Sequence, residues 1–158
     1  MRALGWIGLS AALATAALGS LHPPPARAQG AALAEGEAAN GTAAARVEVT
    51  GAARRDGVLT VTVRFTSLPD AKGDITFYRN AAEGYEAVYL VAGDRKYFAL
   101  KDSEGKPLMP ERAYLETRGG GQRQIWAGKF TAPPAGLKEF SLVLPYSSPL
   151  DAIPITDR

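Results

Sequence analysis

The sequence predicts an all-β chain, folded as an antiparallel β-sandwich of about seven short strands. Three observations predict this fold. Apolar and polar residues alternate over short segments, turn-forming residues recur at intervals of roughly ten residues, and no segment after Ala45 has a sustained helical period with caps. We expect the sandwich to span residues 46–158, preceded by a signal-peptide helix and a flexible leader.

The segment 1–28 has the pattern of a signal peptide. Met1-Arg2 is a positive start, residues 3–21 are apolar or small, and prolines at 23–25 stop a helix before the Ala26-Arg27-Ala28 cleavage site. We therefore expect a periplasmic or secreted mature chain, with no stable membrane insertion after cleavage. A retained anchor is the alternative, because the apolar run is near the minimum of roughly 17–20 residues that spans a bilayer. A lipoprotein anchor is excluded, since the sequence has no cysteine.

Cleavage also changes the charge of the chain. Of the 18 basic residues, Arg2 and Arg27 leave with the signal peptide, so 16 basic and 16 acidic side chains remain. Nucleic acids and anionic membrane surfaces require clustered positive charge, and no polybasic run is left. The remaining length is enough for one domain, and we expect no nucleic-acid partner.

Residues 29–45 are predicted to form a flexible leader. This segment contains eight alanines, together with Gly, Glu and Asn and almost no large apolar residue. It therefore has too little apolar surface to offset the entropy of ordering it. The tripeptide Asn40-Gly41-Thr42 matches the glycosylation sequon, a pattern short enough to occur often by chance.

The clearest predicted strand covers residues 58–65. Its odd-numbered residues from Leu59 to Phe65 are apolar, and the even-numbered residues between them are Thr or Arg. Such alternation places one face in a core and the other towards solvent. Similar short runs separated by turn-forming residues are typical of a β-sandwich or a small barrel. The other predicted strands are 46–50, 75–79, 87–92, 96–101, 125–130 and 139–144.

The mature chain lacks the side chains of most catalytic and metal sites. Its only histidine, His22, lies in the signal peptide, and it has no thiol. These absences exclude Ser-His-Asp and Cys-His catalysis and almost all zinc and copper sites, so we expect no enzyme and no cofactor. Asp102 and Glu104 carry oxygens of the kind that calcium binds, but a full site needs six or more ligands. A solvated hairpin turn over 102–106 is the favoured interpretation.

Aromatic residues are the remaining candidates for a binding site. Exposed Tyr and Trp side chains on a sandwich often hold sugars or protein partners. For Trp126 we favour a competing interpretation, a core tryptophan between the two sheets. The candidate contacts with a ligand or partner are Tyr85, Tyr89, Tyr97, Tyr114 and Trp126.

Two runs resemble a known class of domains: Tyr89-Leu90-Val91 leading into residues 96–108 (KYFALKDSEGKPL), and residues 125–134 (IWAGKFTAPP). With the ending from Leu137 to Ile155, they resemble exported bacterial telokin-like, immunoglobulin-like domains of unknown function. Such domains occur alone or ahead of a peptidoglycan-binding domain of the outer-membrane protein A type. No second domain follows within these 158 residues, so we do not expect anchoring by that route. The resemblance implies an accessory or interaction module of the cell envelope, and it brings no catalytic residue.

The sequence thus favours a non-enzymatic exported module that binds a protein or an envelope polymer through one sheet or its loops. The alternative is a carbohydrate-binding or carbohydrate-cleaving domain that uses exposed aromatics and a pair of carboxylates. The ligand and the oligomeric state do not follow from the sequence.

Overall fold

The computed structural model describes residues 31–158, and strands dominate it, with 55% of residues in strands and 5% in helix. The predicted all-β class with antiparallel sheets is confirmed, while the expected signal peptide lies outside the described residues. Within residues 31–158, no helix is long and apolar enough to cross a membrane. In chain order the elements are β1 Ala34–Asn40, β2 Ala43–Arg55, β3 Val58–Ser67, β4 Asp74–Tyr78, α1 Ala81–Ala87, β5 Tyr89–Ala92, β6 Arg95–Tyr97, β7 Ala113–Glu116, β8 Arg123–Thr131, β9 Glu139–Val143, β10 Leu150–Pro154 and β11 Thr156–Asp157.

The first sheet has the strand order β1-β2-β3-β8, and all neighbours in it are antiparallel. β11 joins this sheet as a parallel partner of β2, with Thr156 opposite Ala53. Because β1 pairs with residues 43–49 of β2, β11 occupies a part of the same edge that β1 leaves free.

The second sheet has the order β10-β9-β5-β6, and β4 and β7 form a separate two-stranded ribbon. Beyond β6 the chain runs alongside β8. The Thr131 N–H donates to the Phe98 carbonyl at 3.4 Å, and the Leu100 N–H donates to the Lys129 carbonyl at 2.8 Å. The chain from β6 to residue 101 therefore connects the second sheet to the edge of the first.

A single cluster of buried apolar side chains lies between the sheets. The odd-numbered residues of β3 from Leu59 to Phe65 are buried, as their alternation predicts. Leu90, Leu142 and Ile153 from the second sheet are fully buried in the same cluster. Burying a side chain of this size contributes roughly 1.5–3 kcal/mol to stability, so this cluster holds the two sheets together.

Trp126 on β8 belongs to this core and is only 1% exposed. Its Nε1 donates a hydrogen bond to the Tyr78 hydroxyl at 2.7 Å, and that hydroxyl donates to the Pro110 carbonyl at 2.8 Å. The chain of hydrogen bonds satisfies both buried polar groups. The prediction of Trp126 as a surface contact is therefore wrong, and its buried position agrees with the competing interpretation of a core tryptophan.

A bulge in β2 turns a charged residue towards the interior. Before the bulge the odd-numbered residues of β2, up to Val49, are buried. The register shifts between Val49 and Gly51, and after it the even-numbered residues Ala52 and Arg54 are buried instead. The Arg54 guanidinium donates to the carbonyls of residues 133, 134, 135 and 137 and to the Asp157 carboxylate. Arg54 thus ties β11 and the loop before β9 to the first sheet.

The expectation of a flexible leader over 29–45 is corrected for residues 31–45, while residues 29 and 30 lie outside the described residues. All seven residues of β1 pair with β2, and Ala38 is fully buried. Gly36 of β1 lies beside Leu150 of the second sheet, where an added Cβ would make ordinary contact with the Leu150 side chain at 3.7 Å. The small residues of β1 are buried by larger residues that are distant in the sequence, and the composition of residues 29–45 does not reveal those contacts.

Helix α1 also differs from the expectation, because no helix was predicted after Ala45. Asn80 caps it by accepting a hydrogen bond from the Glu83 N–H at 3.0 Å, and Glu83 accepts one from the Arg79 N–H at 3.2 Å. The helix has seven residues, too few for a helical period to be visible. It occupies most of the gap between the strands predicted at 75–79 and 87–92. The described chain has eleven strands in place of about seven, with β1, β7, β10 and β11 unpredicted.

Candidate functional site

Four aromatic residues lie where α1, β5 and β6 meet, and the rings of Tyr85, Tyr89 and Phe98 contact one another. Tyr85 comes from α1, Tyr89 begins β5, Tyr97 ends β6 and Phe98 follows it. All four side chains are half-buried. We call the surface formed by Tyr85, residues 95–101 and Thr131, together with the adjoining Tyr89 ring, the aromatic–cationic groove.

The rings and two lysines of this groove form a continuous chain of contacts. The ring centroid of Phe98 lies 5.3 Å from that of Tyr85 and 5.9 Å from that of Tyr89. The Lys101 Nζ lies 4.0 Å from the centre of the Tyr85 ring, and the Lys96 Nζ lies 4.3 Å from the centre of the Tyr89 ring. Cation–π contacts of this kind contribute about 0.5–1 kcal/mol at exposed sites. They hold both ammonium groups beside the ring cluster.

The groove carries a local excess of positive charge. Arg95, Lys96 and Lys101 line it, and no lining residue carries a carboxylate. Arg95 has a weak ion pair with Asp94 at 4.0 Å, with both side chains largely exposed. Neither Lys96 nor Lys101 forms an ion pair with any residue in the range 31–158. Both ammonium groups are therefore available to an external anion.

The backbone of the groove is fixed at both ends. At one end the β5–β6 hairpin turns at Gly93, whose φ of 62° is easily adopted by glycine, and Ala92 pairs with Arg95. At the other end, backbone hydrogen bonds hold Phe98 and Leu100 against β8. A site on a fixed backbone loses less entropy when it binds a ligand.

Polar groups of the groove are mostly hydrogen-bond donors. The ammonium groups and the guanidinium donate only, while the Tyr and Thr hydroxyls donate or accept. Such a surface complements ligands rich in acceptors, above all carboxylate, phosphate or sulfate groups.

Tyr114, another predicted contact, lies on a different surface. It is 40% exposed on β7 and lines a shallow depression with Thr76, Arg79 and Arg112. Interaction with the nearby Asp74 carboxylate raises the pKa of the Tyr114 hydroxyl above its ordinary value, and burial acts in the same direction. The structure therefore joins Tyr85 and Tyr89 through Phe98 and places Tyr97 in the lining of the same groove, but it leaves Tyr114 on another surface.

Another positively charged cluster, formed by three arginines, lies on the outer face of the first sheet. Arg64 forms a two-pronged ion pair with Glu48, at 3.0 Å and 2.8 Å, and Arg46 and Arg123 lie beside it. Hydrogen bonds from Arg64 hold the pKa of Glu48 below its ordinary value. Glu48 neutralises Arg64, whereas Arg46 and Arg123 form no ion pair within residues 31–158, and the cluster differs from the groove in having no aromatic side chain in its lining.

The suggested calcium ligands Asp102 and Glu104 lie in an exposed turn. The Asp102 Oδ1 accepts hydrogen bonds from the backbone N–H groups of Glu104 at 2.9 Å and Lys106 at 2.8 Å. Across residues 31–158, no three or more acidic, His or Cys side chains are grouped so that they could hold a metal ion. The arrangement matches the hairpin-turn interpretation.

Sequence reasoning identified the tyrosines but missed Phe98 and the lysines that complete the groove. The run Lys96-Tyr97-Phe98, closed by Lys101, contained a signal, since basic residues flank two aromatic rings. Whether this run forms a site depends on Tyr85, whose ring contacts Phe98 and Lys101. Tyr85 reaches them because of the position of α1, which no local sequence pattern predicts.

Comparison with protein-family models, with curated proteins and with solved structures finds no match to this chain. Function is therefore inferred from the chemistry of the groove itself.

Proposed function

We propose that this chain is an exported, non-enzymatic module that binds an anionic protein or envelope polymer through the aromatic–cationic groove. The observation that carries the proposal is the pair Lys96 and Lys101. Both are held over tyrosine rings, and neither has an ion-pair partner within the described residues.

The electrostatics of the groove support this role. Exposed lysines normally gain little from surface ion pairs, because water screens them and their flexible side chains lose entropy on pairing. Contact with the rings of Tyr85 and Tyr89 already restricts the two lysine side chains in the free protein, so they lose less entropy when a ligand binds. An anionic ligand is therefore attracted by the positive charge at long range, and at short range it meets ammonium groups that are already held in position.

Two features of the sequence support an extracytoplasmic role for the module. The pattern of residues 1–28 is that of a signal peptide, and the chain resembles telokin-like, immunoglobulin-like envelope domains in the runs at 96–108 and 125–134. A periplasmic or secreted sandwich with a donor-rich groove suits an accessory that recognises a partner in the envelope.

The carbohydrate-binding alternative agrees less well with the groove. Stacking on a sugar requires open ring faces, but the Tyr85 and Tyr89 rings already contact Phe98 and a lysine. Trp126 is buried, and the groove offers few acceptors for neutral hydroxyl groups.

Binding of the full chain to labelled polyglutamate and to labelled polygalacturonate, at several salt concentrations, tests the proposal. We expect at least one of these polyanions to bind, with an affinity that falls as salt rises. The double variant Lys96→Glu, Lys101→Glu should lower that affinity by about tenfold or more. The matched control Lys72→Glu, Arg112→Glu makes the same charge change at two exposed residues outside the groove and should bind as the unmodified chain does. No binding by either polyanion, or equal losses in both double variants, would refute the proposal.

A further inference from the structure

The floor of the aromatic–cationic groove is apolar. Phe98, Ala99 and Leu100 line it between the positive residues, and the side chains of Phe98 and Leu100 are half-buried. A purely electrostatic site for a polyanion has no use for half-exposed apolar side chains at its centre. Phe98 already contacts the rings of Tyr85 and Tyr89, and its remaining exposed surface together with that of Leu100 can be covered by apolar groups of a ligand, whose burial there is favourable.

Positive charge flanks this apolar floor on both sides. In the sequence, Lys96 precedes it and Lys101 follows it, and each ammonium lies over a different tyrosine ring joined through Phe98. Carboxylates of a complementary ligand must therefore be separated by an apolar portion.

The shape of the groove favours a linear ligand. Residues 95–101 line it consecutively, as β6 and its extension along β8, so that the groove follows a stretch of chain rather than a closed cavity. A polypeptide supplies carboxylates and alkyl side chains alternately along one chain, whereas an acidic polysaccharide carries no alkyl side chains.

We propose that the ligand of this groove is an acidic polypeptide segment in which apolar side chains lie between the carboxylates. This inference rests on the proposed function and specifies its partner. Lys96 and Lys101 pair with Asp or Glu side chains, and Phe98 and Leu100 receive the apolar side chain between them.

Three labelled ligands test this inference with the full chain: an extended peptide of Glu, Leu and Ser; the same peptide with every Leu replaced by Ser; and polygalacturonate. We expect the leucine peptide to bind about tenfold more tightly than its serine twin, since both have the same charge and differ only in apolar surface. The variant Leu100→Ser should reduce this difference, and Lys72→Glu serves as the control that leaves it intact.

The outcomes separate this inference from the proposed function. Groove-dependent binding of polygalacturonate without binding of the leucine peptide would overturn the peptide proposal and leave the anionic module standing. Equal affinities for the two peptides would overturn the role of the apolar floor. If none of the three ligands binds, both proposals fail together.

Discussion

At the scale of single residues, Arg54 shows how one bulge creates a structural tie. The bulge in β2 points its side chain inward, where it is 8% exposed and donates to the carbonyls of Pro133, Pro134 and Leu137 at 2.9–3.1 Å. The Nε also donates to the Asp157 carboxylate at 2.6 Å. Only a guanidinium has enough N–H groups in one plane to satisfy these acceptors together.

Replacing Arg54 by Ala should lower the free energy of unfolding by about 2–3 kcal/mol, because several buried acceptors lose their donor. Urea unfolding at neutral pH measures this change. Arg55→Ala is the matched control, since the Arg55 side chain is 77% exposed and pairs only with its exposed neighbour Asp56. A loss for Arg54→Ala no larger than that of the control would contradict the role assigned to Arg54.

The same tie predicts a dependence of stability on pH. Hydrogen bonds from Arg54, and then from Lys138, lower the pKa of Asp157 from 3.8 to about 2. A carboxyl whose pKa is depressed by folding contributes stability that is complete above its ordinary pKa and disappears as pH falls through the folded value. The melting-temperature difference between the unmodified chain and Asp157→Asn should therefore shrink as pH falls from about 4 to about 2. A difference that stays constant over this range would contradict the prediction.

At the scale of elements, α1 positions Tyr85 for the groove by packing against β4. A Cβ at Gly84 would lie 2.7 Å from the ring of Tyr78, closer than side-chain atoms approach one another. Tyr78 in turn receives the hydrogen bond of Trp126 and so cannot move freely. The small residue in the helix is thus a condition for docking α1.

Gly84→Ala should destabilise the protein by about 1–3 kcal/mol, although alanine normally favours a helix by about 1 kcal/mol over glycine. The overlap with the Tyr78 ring outweighs helix propensity here. Gly136→Ala is the control, because a Cβ there meets nothing within 4 Å. Thermal unfolding of both variants measures the effect, and a Gly84→Ala protein more stable than the original would show that α1 packs differently.

The elements also show which parts of the fold a sequence can reveal. β3 was predictable because its side chains alternate and their burial requires no knowledge of the partner. β1 was not, since its Ala and Gly residues gain their burial from β2 and from Leu150. For the groove, the tyrosines were predictable by residue type, but the contact of Lys101 with Tyr85 depends on how α1 docks.

At the scale of the whole molecule, positive and negative side chains are equal in number after residue 28 but are unevenly distributed over the surface. Basic and acidic residues are equal in number after residue 28, yet the groove has three basic residues and no acidic one. The uneven distribution arises because residues 95–101 connect the second sheet to β8 and gather their charges at that junction. The net charge does not predict this arrangement, and the basic residues at 95, 96 and 101 show in the sequence only as a local excess of charge without the rings they lie beside.

The surface on which the ligand binds decides whether the aromatic–cationic groove is the functional site. We would follow the backbone amide signals of the ¹⁵N-labelled full chain by nuclear magnetic resonance while adding the peptide of Glu, Leu and Ser. If the peptide binds in the aromatic–cationic groove, the largest shifts fall on Tyr85, Tyr89 and residues 95–101, and they vanish in the double variant Lys96→Glu, Lys101→Glu. Shifts centred instead on Arg46, Arg64 and Arg123 of the first sheet, or no shifts at saturating peptide, would contradict this assignment of the site.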